Sequence, residues 1–418
     1  MVNNFAIKCN VCDCKIRLRY QVSEDKCPIS FLCPNCKTNI SGNLQTIWHY
    51  ENESIERIPW HYDLKLNNAS KIEYEDCEYV FELSSDLLVS KIKKAEEVDI
   101  ITPFIRLASI CGKKFNQNSR FYNFLSIWTK EWNCIKINLD LCHNEKYDIL
   151  LSRFTETYCC FPNDINAIML THQQLLNFCN KILPKNILHE YTKLNQRITS
   201  LKTNQDQEFE TFISIFSLES IKDFERKLLH LIKQFLDNYP KFLPIFNTLH
   251  IEKLDDFGIS TLSFEDIKSF YQDSYELILE LLPEIIGLNN IIRRKYLNNF
   301  TCGINNFETK INSYNSKFKR YEELLDRQDK FSWLVTEKIQ NHVRNSIGHF
   351  NYEENPIEQT IIFTDKHKNK KQQFNKSLID VAKDCVYMFY SLINLLELNY
   401  NLLKILTIDS KSQIVPKA

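Results

Sequence analysis

Two groups of residues in this chain have the types and spacing to do chemistry. Near the amino terminus, Cys9-Asn-Val-Cys12 and Cys33-Pro-Asn-Cys36 form two C-x2-C pairs separated by twenty residues. Each pair sets two sulfurs about 3.5–4 Å apart on a tight turn, and two such turns complete a tetrahedral thiolate shell around one Zn²⁺. Cys9, Cys12, Cys33 and Cys36 are the expected ligands, with Cys14 and Cys27 as alternatives for a place in the shell. Four thiolates leave no open position, so this metal is expected to be structural. The second group is Arg344, Asn345 and His349, at the end of FSWLVTEKIQNHVRNSIGHF. An imidazole exchanges a proton near neutral pH, and a guanidinium fork holds two phosphate oxygens.

These side chains need elements to position them. Ile339, Val343 and Ile347 follow an i, i+4, i+8 series, one apolar stripe of a helix facing a core. With Val343 at zero, Asn345 and His349 project at about 200° and 240°, and Arg344 at about 100°. His342 lies close to His349 and is a weaker second candidate. Periodicity alone also fits a solvent-facing polar stripe. The following segment IEQTIIFTDKHKNKKQQF reads as a small hairpin whose tip carries Lys366, His367, Lys368, Lys370 and Lys371. That tip can gather nucleic-acid phosphates, or it is simply a solvated turn. Around the cysteines, KIRLRY alternates as a short strand, and the head resembles a zinc ribbon over about 35 residues. Its excess of Lys and Arg is nearly cancelled by a Zn(Cys)4 centre, which suits a docking module as well as a nucleic-acid reader.

At 418 residues, with roughly 100–200 per domain, two or three domains are expected. We divide the chain into a zinc ribbon (1–42), a middle region of strands then helices with no readable motif (43–205), and a helical domain (206–418). The polar stretch 195–208 marks the second boundary. Lys and Arg number 52 against 53 Asp and Glu, so no wholesale attraction to nucleic acid or an acidic membrane is expected. The six glycines are too scattered to build a phosphate-cradling loop, which disfavours Walker, dinucleotide-fold and nucleophile-elbow chemistry. Few glycines and abundant Leu, Ile, Lys and Glu predict a mainly α chain with a mixed α/β middle. Fifteen cysteines, six within the first 36 residues, and no signal-peptide pattern point to a reducing cytoplasm. The apolar stretch 386–406 is interrupted by Asn394, Glu397, Asn399, Asn401 and Lys404, so it reads as a buried helix and not a membrane span.

Arg344-Asn-Ser-Ile-Gly-His349 resembles the R-x4-6-H motif of the HEPN superfamily, in the form with a polar Asn after the Arg. The motif covers six residues. The context is also similar over 100–200: a long helix leading in, an aromatic following, and a closing apolar helix. The resemblance implies a HEPN-like helical bundle with a small β-hairpin insertion. It further implies a metal-independent endoribonuclease, dimeric through that bundle, in which both protomers' motifs meet in one cleft. Arg344 and His349 would be catalytic and Asn345 assisting, with 2′-OH attack giving a 2′,3′-cyclic phosphate. Such proteins act as toxins or antiviral effectors, so a regulatory protein or phage-derived trigger is an expected partner. The rival is a non-catalytic adaptor, a ribbon and a silent bundle binding RNA or protein.

Overall fold

The structure, a computed structural model, describes residues 2–22, 24–50, 57–73, 76–97, 101–111, 120–154, 162–183, 193, 196–198, 200–201, 206–326, 336, 338–367 and 370–412. The first elements are β1 (Val2–Cys9), β2 (Lys15–Gln21), β3 (Lys26–Leu32), β4 (Asn39–Tyr50), β5 (Arg57–Asn67), β6 (Ala69–Ile72), β7 (Tyr79–Leu83), β8 (Val89–Ser90) and β9 (Lys93–Lys94). Helices follow: α1 (Pro103–Cys111), α2 (Arg120–His143), α3 (Tyr147–Leu151), α4 (Asn163–Ile182), α5 (Asp206–Ser214), α6 (Leu218–Asp237) and α7 (Leu243–Thr248). Then come β10 (Phe257–Gly258), α8 (Phe264–Glu280), α9 (Leu282–Arg294), β11 (Asn299–Phe300), β12 (Gly303–Ile304), α10 (Phe307–Asn312) and α11 (Lys317–Leu324). The last are α12 (Asn341–Gly348), β13 (Tyr352–Asn355), β14 (Thr360–His367), β15 (Lys370–Ser377) and α13 (Leu378–Ser412).

Contacts divide the chain into two units, each assembled from three separate segments. Unit 1 takes Met1–Phe121, Asp237–Tyr271 and His342–Val386; unit 2 takes Tyr122–Leu236, Gln272–Asn341 and Tyr387–Ala418.

Unit 1 is built on sheets. One has the order β6-β1-β2-β7-β9 and a second the order β3-β4-β5. In β2 the alternation is complete: Ile16, Leu18 and Tyr20 are buried, whereas Lys15, Arg17 and Arg19 are half-buried. Burying each apolar side chain of that face contributes about 1.5–3 kcal/mol. The two sheets meet through aromatic edges, with Tyr62 packed against Phe5 (5.6 Å) and Tyr20 (6.1 Å), and Phe31 against Phe81 (4.8 Å). Gly42 permits the close pairing of β4 with β5, because a Cβ there would lie 2.0 Å from the Lys65 carbonyl oxygen.

The remaining segments join this core by backbone-like pairing. The Ser30 N–H donates to the Ser260 carbonyl at 2.9 Å. The Gln359 side-chain amide accepts from the Ile259 N–H at 2.8 Å and donates to the Ile259 carbonyl at 3.0 Å, so it acts as one rung of a ladder. Gln359 itself leads into the sheet β13-β14-β15.

Unit 2 is helical, apart from the β11–β12 pair among its described residues. α6 shows why: Ile221, Leu228, Leu229, Ile232, Phe235 and Leu236 recur at helical spacing and are buried. Phe235 stacks on Phe389 of α13 at 4.1 Å, and Trp132 of α2 stacks on Phe178 of α4 at 5.7 Å.

Two expectations are corrected here. The chain is mixed α/β, 54% helix and 23% strand in five small sheets, and not mainly α with a helical carboxyl-terminal bundle. Scarce glycine was a poor guide because the turns use other residues. Asp13, Lys37, Asn68, Glu145, Lys295, Phe350 and Gln359 all have positive φ. The insertion in that half is a three-stranded sheet, and it lies in the same unit as the cysteines.

The long helix expected to lead into Arg344 falls largely outside the described residues; α12 itself begins at Asn341, and Ile339 and Gln340 before it are not helical. Polar residues restart the chain: the Asn306 side chain accepts from the Thr309 N–H and Ser316 from the Lys319 N–H, each capping a new helix. Asn341 opens α12, its side-chain oxygen accepting from the Tyr275 hydroxyl at 2.9 Å.

Candidate functional site

The four cysteines of the paired motifs converge. Cys9 and Cys36 sulfurs are 3.7 Å apart, Cys12 and Cys33 sulfurs 3.6 Å, and all four lie within 4.8 Å of one another. A tetrahedral M–S₄ centre with bonds of about 2.3 Å places its sulfurs about 3.8 Å apart, so the donor set fits a structural zinc ion.

Two matching turns impose this geometry. In the first, the Cys9 N–H donates to the Cys14 carbonyl and the Asp13 N–H to the Cys9 carbonyl, both at 3.0 Å. In the second, the Cys33 N–H donates to the Thr38 carbonyl and the Lys37 N–H to the Cys33 carbonyl, both at 2.9 Å. Asp13 and Lys37 hold the equivalent left-handed position, with φ of 59° and 61°.

Burial pushes the Cys9 and Cys33 thiols up. At Cys36 burial also raises the pKa, but the Thr38 hydroxyl and N–H and the neighbouring thiols bring it down to about 6. Cys14 and Cys27 stand outside the cluster. Cys14 is buried beside it, its thiol pushed up to about 12 by burial and then by Glu78. Cys27 is buried in the sheet core, near the Pro28 carbonyl.

Arg344 and Asn345 lie on α12, both half-buried, and the guanidinium Nη1 donates to Asn345 Oδ1 at 3.3 Å. Val343 and Ile347 of the apolar stripe are buried beneath them. His349 follows the last helical residue and is exposed. His342 packs against the Phe374 ring of β15 at 4.2 Å. Burial and then Lys376 lower its pKa, so at neutral pH it is an uncharged packing residue. The hairpin pairs Lys366 with Lys371 and His367 with Lys370 across β14 and β15. Lys368 lies outside the described residues. The structure thus brings Arg344 and Asn345 into contact, with His349 one turn away along the chain.

Reading the sequence missed a buried polar network in unit 2. His172 of α4 lies between two carboxylates, with Nδ1 3.3 Å from Glu225 of α6 and Nε2 2.9 Å from Glu397 of α13. Asn399 donates to Glu225 at 2.6 Å, Asn401 donates to Glu397 at 3.0 Å, and the Tyr400 ring stacks on the imidazole at 3.7 Å. Burial alone would depress His172, but hydrogen bonds to Glu225 and Glu397 and their charge outweigh it and raise its pKa. The polar residues interrupting 386–406 were the available signal.

Glu284 of α9 is buried nearby, and neither of its carboxyl oxygens finds a hydrogen-bond partner. Burial and then the charge of Glu225 push it up to about 8.

Both groups weaken the fold as pH rises. The folded chain keeps the Glu284 proton to about pH 8, whereas the unfolded chain releases it near the ordinary value of about 4.3. Stability therefore falls through that window by up to about 1.4 kcal/mol per pH unit. The His172 contribution has the same sign, complete below the unfolded value and lost as pH passes the raised folded one. Glu284→Gln is expected to melt higher than wild type at pH 8 and equally near pH 4.5. Thermal melts across pH 4.5–9 check this; parallel curves would contradict it.

No helix among the described residues is long and apolar enough to cross a membrane. No known family pattern, no curated protein and no solved structure matches the chain.

Proposed function

We propose that the chain is a metal-independent endoribonuclease in which Arg344 and His349 act on the ribose-phosphate linkage and Asn345 positions the arginine. The observation that carries this reading is the Arg344–Asn345 contact on α12 with an exposed His349 just past the helix end. RNA brings its own nucleophile, the 2′-OH. His349 accepts or donates the proton, and Arg344 stabilises charge as the phosphorus becomes pentacoordinate.

Residues five apart on a helix project about 140° apart, so one chain aims its fork and its imidazole in different directions. A homodimer that brings two motifs together supplies a proton acceptor on one side of the phosphorus and a donor on the other. Lys366, Lys368, Lys370 and Lys371 would gather the neighbouring phosphates. In this reading Cys9, Cys12, Cys33 and Cys36 hold one zinc ion, whose part is to fix the fold of unit 1. We further infer a cytoplasmic toxin or antiviral effector, restrained by a regulatory protein or released by a phage-derived trigger; the motif's resemblance is what supports this.

Labelled RNA incubated briefly with EDTA tests the chemistry. Cleavage is expected to persist and to leave 2′,3′-cyclic phosphate ends. Products with 3′-hydroxyl ends, or a reaction halted at once by the chelator, would refute it. The adaptor reading draws on the placement of α12 in a sheet-rich unit, and it predicts RNA retention without any cleavage.

A further inference from the structure

α12 ends in a Schellman turn. The Asn351 N–H donates to the Ser346 carbonyl at 2.8 Å and the Phe350 N–H to the Ile347 carbonyl at 3.1 Å. This geometry requires a left-handed residue at the position Phe350 occupies, where glycine is usual because a side chain there crowds the backbone. Phe350 has φ of 54° and is 81% exposed. A large aromatic therefore carries two costs at one position: backbone strain of order 1–3 kcal/mol and an apolar ring left in water. Strain of this kind is kept where a function needs the side chain. Phe350 directly follows His349.

We propose that Phe350 is a stacking platform for a nucleobase of single-stranded RNA, holding the nucleotide beside His349. The proposal rests on the ribonuclease reading for its substrate. A flat exposed ring stacks on any base, and such a contact tolerates sequence variation. The surroundings favour a base over a second protein surface. Along the chain it is flanked by Gly348, His349 and Glu353, all exposed, and by half-buried Asn351 and Tyr352, so its exposed neighbours in sequence carry no apolar side chain. A protein interface needs a contiguous apolar patch.

The test uses the full-length protein and a 2′-O-methyl RNA carrying 2-aminopurine, which binds without being cleaved. Wild type is expected to quench the fluorophore. Phe350→Gly should lose affinity by about 5- to 100-fold while melting higher than wild type, because glycine relieves the turn. Phe350→Trp should keep both quenching and affinity. Equal affinity of wild type and Phe350→Gly would overturn the proposal, and if wild type still cleaved unmodified RNA the ribonuclease reading would stand alone. Quenching that depends on Phe350 with no cleavage of unmodified RNA would keep the platform and remove the nuclease. A dimer that dissociates in Phe350→Gly would assign the ring to a protein contact instead, and no RNA binding by wild type would also end the proposal.

Discussion

His349→Ala is expected to slow RNA cleavage by about 10²–10⁴-fold, the usual contribution of a positioned proton-transfer group, while leaving the melting temperature near that of wild type. The side chain is exposed, so little packing is lost. Arg344→Ala should cost about 10²–10³-fold, as for other groups that stabilise charge built up in the transition state. Asn345→Ala should have a smaller effect, because it releases the guanidinium from the 3.3 Å contact without removing it. Mixing Arg344→Ala with His349→Ala chains offers a sharper test. If both motifs meet in one cleft, mixed dimers return one fork and one imidazole to it and regain part of the rate lost by either variant alone. Full cleavage by either single variant would remove these residues from the chemistry.

Cys33→Ser is expected to release the metal and unfold unit 1. Cys33 is fully buried among the clustered sulfurs, and structural zinc sites of this type bind with about 10–16 kcal/mol. Mass spectrometry under native conditions should find one zinc per wild-type chain and none in the variant. Cys14→Ser, just outside the cluster, should keep the ion. A Cys33→Ser protein that retained metal and melted normally would refute the four-thiolate assignment. The same loss should silence cleavage indirectly. Lys37, in the second metal turn, meets Glu353 at 3.2 Å, four residues beyond His349. An exposed pair like this contributes at most about 1 kcal/mol; its meaning is that turn and motif share one folded body. Under prolonged chelation, activity should decay in step with zinc release, unlike the immediate loss expected of a catalytic metal.

What could be read in advance followed from locality. The cysteine shell was legible because each pair is four residues long and its geometry is set within its own turn. The alternation of Ile16, Leu18 and Tyr20 was legible for the same reason. The fold class was not, since composition averages a sheet-rich unit with a helical one. Nothing near Ile259 announces that the Gln359 amide, a hundred residues away, will complete its backbone pairing. The network of His172, Glu225 and Glu397 likewise spans three distant helices. On α12 the residue types and the buried stripe were readable. The short length of the helix was not, because Tyr275 engages its first residue, Asn341, from far away in sequence.

The discontinuity of unit 1 has a consequence for biosynthesis. Its cysteines emerge from the ribosome some three hundred residues before the helix that carries Arg344 and the strand that carries Glu353. At about 5–20 residues per second the nascent chain spends roughly tens of seconds without the parts that complete this body. A polypeptide truncated anywhere before residue 342 carries neither Arg344 nor His349 and lacks a whole segment of the core. Translation to that point is thus a built-in delay in the completion of unit 1.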